Sequence, residues 1–245
     1  MLRQLLKWLL LASFVFFGVA LWQRDALPPP SELLPALQDE PQQRPIQKRA
    51  FEATVGDITY TVQPLYSYDI VGLVVSRHDN GGWRDYIHRD WNDKLNVADI
   101  CVIWGDNARS GAYNSMSFWN GQFTCNWEGS SDAADRFDMF SISNNHVLTA
   151  NAAIAKRILS ARIGDQIHMR GNLSEYSHNH GFAFHRGTST VRTDTGNGAC
   201  ETLYVEDFEI IKPSPNPWRK LVWVAGAMLV LSLLAWFFQP VRFDQ

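Results

Sequence analysis

The sequence predicts a mainly β domain, a small barrel or sandwich with one clear helix, held between two transmembrane helices. Three observations lead there. Each end of the chain carries a long apolar run with no charge inside it. Between the runs, short stretches alternate apolar and polar residues with the period of strands. One stretch of the middle region has the spacing and capping residues of a helix. Across the 245 residues, apolar types make up 46% and aromatic types 13%, enough for a core. Charged residues, at 19%, fall below the quarter usual in a soluble protein, because of the two ends.

The first run, "WLLLASFVFFGVALW", spans Trp8 to Trp22 and follows Leu5 and Leu6. The second, "LVWVAGAMLVLSLLAWFF", spans Leu221 to Phe238. Each is close to the ~17–25 apolar residues that cross a bilayer as a helix. Tryptophans border both: Trp8 and Trp22 on the first, Trp218, Trp223 and Trp236 on the second. An indole favours the headgroup zone, where its ring meets lipid and its N–H meets water. Residues 1–26 are thus an N-terminal anchor, and residues 218–245 a C-terminal span with a short tail. A basic start (Arg3, Lys7) before an apolar stretch also describes a signal peptide, with Gly18 to Ala20 as its small-residue cleavage site. That site lies inside the apolar run rather than after it, which favours an uncleaved anchor. Arg3 and Lys7 keep the N-terminus cytoplasmic, and two spans return the C-terminus to the same side. In a bacterial inner membrane the middle region is then periplasmic. Arg219 and Lys220 oppose this orientation, but charge bias is weak beside so long a translocated segment.

Residues 27–50 are rich in Pro and Gln and read as an extended tether, with residues 213–217 as a shorter one. The folded unit is therefore 51–212. It opens with "FEATVGDITYTV", two strand-like runs around Gly56-Asp57. Facing Val55 with Ile58, Ala53 with Tyr60 and Phe51 with Val62 puts every apolar residue on one side. "YDIVGLVVS" and "DICVIWG" read as further strands and "DNGG", 79–82, as a turn. Residues 105–145 are loop-rich, with aromatics expected to pin them to the sheet. "TANAAIAKRILSARIG" is the helix: Thr149 or Asn151 caps it, Ile154, Ile158 and Leu159 form its apolar face, and Gly164 suits a left-handed C-terminal cap. "DQIHMRGNL" follows as a strand with Ile167, Met169 and Leu173 on one side and His168 and Arg170 on the other. The last strand, "CETLYVEDFEII", changes apolar parity between Val205 and Phe208, which predicts a bulge.

A helix leading into a strand of the form G-D-x-I-x-M-x-G, then a hairpin and a closing strand, resembles the second half of an OB-type barrel. The resemblance covers residues 149–211 and rests on layout, without a diagnostic motif. It implies an OB-like domain of a class that often binds oligonucleotides or oligosaccharides.

Four stretches are candidate sites. "HNHGFAFH" places His178, His180 and His185 within eight residues, the density of a metal site. Its flanks are strand-like, so a polar hairpin turning at Asn179-His180-Gly181 is the favoured reading and a divalent metal the alternative. "RTDTGNGACE" offers Arg192, Asp194 and Glu201 beside Gly196, Asn197 and Gly198, a general-acid site or a hydrogen-bonded turn. "SISNNHVLTAN" offers His146 as a base, with no nucleophile pattern beside it. "HRDWND" offers His88, Asp90 and Asp93, with Asp99, as metal ligands or a solvated turn. Outside the cytoplasm a cysteine pair can oxidise. Cys101 lies in an apolar run, as a buried cysteine does, so Cys125 and Cys200 are the expected disulfide.

Residues 51–212 hold 13 Lys and Arg against 20 Asp and Glu, a net of −7, which disfavours nucleic acid as a partner. No cofactor motif occurs. The expected role is non-enzymatic: a membrane protein presenting an acidic β domain as an accessory or scaffolding subunit of an envelope complex, partnered by other membrane or periplasmic proteins. The alternative is a membrane-tethered hydrolase or carbohydrate-binding domain, which requires Asp194, His146 and His178 to converge.

Overall fold

A computed structural model describes residues 2–82, 85–121, 123–194 and 200–239. In chain order the elements begin with helix α1 (Leu2–Gln23), strands β1 (Gln42–Pro45), β2 (Phe51–Val55) and β3 (Ile58–Asp79), the single turn α2 (Ile87–Asp90) and strand β4 (Asn96–Ile103). Then come α3 (Gly105–Ser110), β5 (Met116–Asn120), β6 (Cys125–Gly129), α4 (Ser131–Ala134), β7 (Ile142–Leu148) and α5 (Ala152–Ser160). Strands β8 (Gln166–His178), β9 (Phe184–Arg186) and β10 (Cys200–Lys212) precede the last helix, α6 (Trp218–Phe237). The chain forms two units: residues 28–214, and the two ends, 1–27 with 215–245.

In the unit of the two ends, α1 and α6 are each long and apolar enough to cross a membrane. They pack through small residues: Ser13, Ala20, Ala225 and Ser232 are buried between them. The two serine hydroxyls donate back to carbonyls of their own helices, Leu9 and Leu229. Asn216 ties the polar ends together. Its amide N–H groups donate to the carbonyls of Gln23 and Arg24 at the end of α1, while its Oδ1 accepts from the backbone N–H of Trp218 at the start of α6. Asn216 thus makes an ordered connector of part of "PSPNP", where the Pro-rich composition predicts a tether.

In the other unit the β2–β3 hairpin has the register that burial demands: Val55 opposite Ile58, Ala53 opposite Tyr60, Phe51 opposite Val62. Gly56, at φ 64°, supplies the turn. Strand β3 is long enough to serve two partners, pairing with β8 from Thr61 to Leu73 and with β4 from Leu73 to Asp79. Strand β4 pairs with β7, β7 pairs parallel with β10, and β10 pairs antiparallel with β8. These five strands form a ring of pairings. The ring is not closed into a barrel, so the expected mainly β domain is present while its barrel form is not. The bulge predicted in β10 falls between Val205 and Asp207. Gly171, in β8, lies there because a Cβ would collide with the carbonyl oxygen of Tyr204.

The inward face of the ring carries the main core, with Ile100 and Val102 of β4, Val147 of β7, Ile167 and Met169 of β8 and Leu203 of β10 fully buried. Helix α5 lays Ile154 and Ile158 on it. Asn151 caps α5, its Oδ1 accepting from the N–H groups of Ala153 and Ile154, while Thr149 supports the cap by accepting from Asn151. Two details differ from expectation. Leu159 stays 41% exposed. Gly164 is left-handed but lies beyond the helix, in the turn where its N–H reaches the Val74 carbonyl.

Two larger corrections concern segments read as unstructured. Residues 28–50 are bound to the β unit instead of forming a free tether. Leu37 is fully buried, β1 pairs with β3, and the side chain of Gln166 accepts from the N–H of Leu34 and donates to the Glu32 carbonyl. The Tyr113 hydroxyl holds the Pro28 carbonyl at 2.7 Å. Proline restricts this backbone to extended and 3-10 shapes, which lowers the entropy cost of docking it. Residues 105–145 likewise hold elements: the β5–β6 hairpin, short helices, and the start of β7, a central strand. Tyr113 and Phe137 are buried as predicted, whereas Trp119 and Phe140 are about half exposed.

A candidate functional site on the outward face of the sheet

Register places a polar row across four adjacent strands. His78 of β3 lies opposite Asp99 of β4, Asp99 opposite His146 of β7, and His146 opposite Thr202 of β10. The neighbouring row reads Ser76, Cys101, Asn144, Cys200. Side chains alternate faces along a strand, so both rows share the face turned away from the core.

Asp99 is the centre. Its Oδ1 accepts from Nδ1 of His146 at 2.7 Å and from the side-chain amides of Asn80 and Asn96 at 3.1 Å each. Burial raises the cost of its charge, but His146 and these amides outweigh it and hold the carboxyl well below its usual range. A second carboxylate, Asp85, accepts at Oδ2 from His78 Nε2 at 3.0 Å and from His88 Nδ1 at 2.7 Å. Asn96 joins the two centres by donating to His88 Nε2 at 3.3 Å. That contact assigns His88 as the tautomer protonated at Nδ1. Asp93 is buried beside them; Tyr176 donates its hydroxyl to Oδ2 at 2.7 Å, and Arg186 stands 3.8 Å away. Burial raises the Asp93 carboxyl despite these partners. A cavity of 320 Å³ opens between His78, Asp85, His88, Asp99, Asn120 and Phe123.

The chain covers this face with its own loop. Ser76 donates to Asn120, Asn120 donates to Asn144 at 3.0 Å, and Asn144 donates to the Phe123 carbonyl at 3.2 Å. Phe123 stands at φ 61°, a conformation that a non-glycine residue rarely holds without compensation. Its ring stacks on Trp91 with centroids 5.2 Å apart, and the Arg186 guanidinium sits 4.3 Å from the ring centre. A disulfide joins Cys101 to Cys125 and pins the loop. This corrects the expected Cys125–Cys200 pair. Cys101 lies on the outward face beneath the loop rather than in the core, and Cys200, two strands away, is a free thiol donating to the Phe123 carbonyl. Burial pushes that thiol up to about 11, so it is not a thiolate nucleophile near neutral pH.

The remaining candidates fall in separate places. His178 Nε2 meets the Trp91 carbonyl at 2.9 Å, and its Nδ1 accepts from the N–H of His180. His180 faces Asp57 and His185 faces Glu175. The three histidines therefore do not converge as metal ligands. His178 pairs with Phe184 across β8 and β9, closing the polar hairpin with Gly181 at positive φ. Among the described residues no group of three or more His, Cys, Asp and Glu side chains is placed to hold a metal ion. Asp194 accepts from the Ser189 hydroxyl at 2.5 Å. Arg192 lies over Trp104, donates to the Phe140 carbonyl and stands 3.4 Å from Glu201. Burial pushes Glu201 up to about 8. Gly196, Asn197 and Gly198 lie outside the described residues. No hydrogen bond among the described residues joins any two of Asp194, His146 and His178.

Of the "HRDWND" stretch, His88 and Asp93 stand 3.9 Å apart, and Asn96 links His88 to Asp99; Asp90 stays exposed. His78, Asn80, Asp85 and Asn96 escaped the reading of the sequence. The signal for His78 was available: extending "YDIVGLVVS" by two residues keeps His78 in step with Ser76. Chemically, Asp99 orients the His146 ring as a carboxylate orients a catalytic imidazole. Yet Ser76 donates to Asn120 and Cys200 to Phe123, so neither hydroxyl nor thiol is bonded to that imidazole. Comparison with protein-family models, curated proteins and solved structures gives no match.

Proposed function

We propose that the chain is a two-span protein of a bacterial inner membrane, with both termini cytoplasmic and its β domain periplasmic, and that this domain is an accessory or scaffolding subunit of an envelope complex. The observation that carries the reading is the pair of terminal helices, whose central stretches hold no charge and leave Trp8, Trp22 and Trp223 outward. Anchoring at both ends favours a domain that works at the bilayer surface. The placement of α5 between β7 and β8 follows the OB-type layout. In OB domains one sheet face and its loops take oligonucleotides or oligosaccharides. Here the chain's own Asn120 and Phe123 cover the outward face of β4 and β7, and the acidic balance opposes a polyanion. Trp119, Met139 and Phe140 are exposed on the segment that does the covering, which makes it the contact surface for a protein partner. A photo-cross-linking residue at Phe140 or Trp119 should capture a defined neighbour in intact cells, and one at Thr54 should not. A clean monomer on gentle extraction, with no cross-link at any position, contradicts the reading.

One observation favours the rival, a tethered hydrolase or carbohydrate-binding domain: the Asp99–His146 pair and the 320 Å³ cavity lie on the same sheet face. Under that reading, His146→Gln abolishes the cellular phenotype while the protein stays folded and its Phe140 cross-link is retained.

A further inference from the structure

The covering loop is held on the sheet by one covalent bond, the Cys101–Cys125 disulfide, and by a set of weak contacts around Asn120 and Phe123. Asn120 donates to Asn144, and the Phe123 carbonyl accepts from Asn144 at 3.2 Å and from the Cys200 thiol at 3.1 Å. The Phe123 ring packs on Trp91, His88 and His146, with centroids 5.2, 5.3 and 6.2 Å away. Phe123 makes these contacts at φ 61°, so its seated backbone is strained and relaxes when the loop lifts. Beneath the loop, His146 and Asp99 are each 1% exposed. The ionised Asp99 carboxylate takes the Nδ1 proton of His146, which leaves Nε2 with a lone pair. That nitrogen makes no hydrogen bond among the described residues. A carboxylate-oriented imidazole is thus kept from solvent by a segment tied down at one sulfur bridge.

We infer that the Cys101–Cys125 disulfide is a redox latch, and that its reduction by a dithiol opens the loop over the Asp99–His146 pair. Cys125 is partly exposed and Cys101 is buried, so a dithiol meets Cys125 first. One thiolate of the dithiol attacks the Cys125 sulfur. The Cys101–Cys125 bond breaks, and Cys101 leaves as a thiolate that takes up a proton. The second thiolate of the dithiol then attacks its own sulfur in the mixed disulfide and releases Cys125, which is protonated in turn. The dithiol ends as a disulfide, and two electrons and two protons have passed to the cysteine pair. What then holds the loop is hydrogen bonds and ring contacts, each modest and opposed by the strained Phe123 backbone.

The test maps the reaction of each histidine with diethyl pyrocarbonate by mass spectrometry, on the full chain in lipid nanodiscs. The chain is treated before and after reduction by dithiothreitol, with the reductant removed first. His180 and His185 are 47% and 63% exposed and serve as internal standards, which should react equally in both states. His146 should react about tenfold faster or more after reduction, as local opening exposes it. It should react as fast in Cys101→Ser/Cys125→Ser without reductant, and dithiothreitol should change nothing there. Hydrogen exchange across the β3–β8 pairing should stay slow throughout, which separates an opened loop from an unfolded domain. Reduction of the parent chain carries the test should the double variant fail to fold. The inference is overturned if reduction leaves His146 as unreactive as before, or if His146 already reacts like His180 in the oxidised chain. It is equally overturned if His146 gains reactivity only together with loss of β3–β8 protection.

Discussion

The chain holds two groups of histidines with opposite fates. His178, His180 and His185 are close in sequence, and each reaches a different partner: a carbonyl, Asp57 and Glu175. His78, His88 and His146 are scattered along the chain, and two buried carboxylates, Asp85 and Asp99, bridged through Asn96, join them into one network. The reason is geometric. A hairpin tip splays successive side chains outward and to alternate faces, whereas neighbouring strands set residues distant in sequence ~4.5–5.5 Å apart. Closeness along the chain is therefore a poor guide to shared chemistry, and cross-strand register is a good one.

The largest effect should come from the centre of the buried group. Asp99→Asn leaves His146, Asn80 and Asn96 facing a neutral amide, and should cost about 3–5 kcal/mol, read as a large fall in the unfolding midpoint. Asp99 also sets an acid limit. Its folded-state carboxyl is lowered from 3.8, so its contribution is full above that pH and is lost as pH falls further. In Asp99→Asn the acid limb of the stability curve should flatten; an unchanged limb would mean that another carboxylate governs it. Next comes the loop that covers the network. Opening the Cys101–Cys125 bond, which closes a separation of 24 residues, should cost about 2–4 kcal/mol. The double serine variant should also raise hydrogen exchange at Asn120 and Phe123 before any global loss of structure. Smallest of all is the tip. His180→Ala and His185→Ala remove exposed pairs and should change stability by less than about 0.5 kcal/mol. A tip variant as damaging as Asp99→Asn would erase the contrast between the two groups.

Much of the fold was readable because single-sided burial constrains strand register. The Phe51–Val62 pairing, the β10 bulge and the Asn151 cap all follow from residue pattern alone. The docking of residues 28–50 was not readable, because proline and glutamine specify an extended shape without naming what holds it. Strand β7 was hidden for a related reason. "SNNHV" carries polar residues toward both faces, with Asn145 donating to the Ile100 carbonyl on one side and His146 to Asp99 on the other. A strand buried in polar company has no apolar alternation to announce it. The disulfide was misread for the same cause: the apolar run around Cys101 conceals that this one residue faces a covering loop and not the core.

The central claim is that two lipid-crossing helices hold the β domain on the outer side of the inner membrane. It is tested most directly by introducing His180→Cys and, separately, Gln4→Cys into a Cys200→Ser background, which removes the free native thiol, and treating intact cells with a thiol reagent that cannot cross that membrane. The account predicts labelling of the position-180 variant in whole cells and of the position-4 variant only after lysis. Labelling of both only after lysis, or recovery of the full chain in the aqueous fraction, would contradict it.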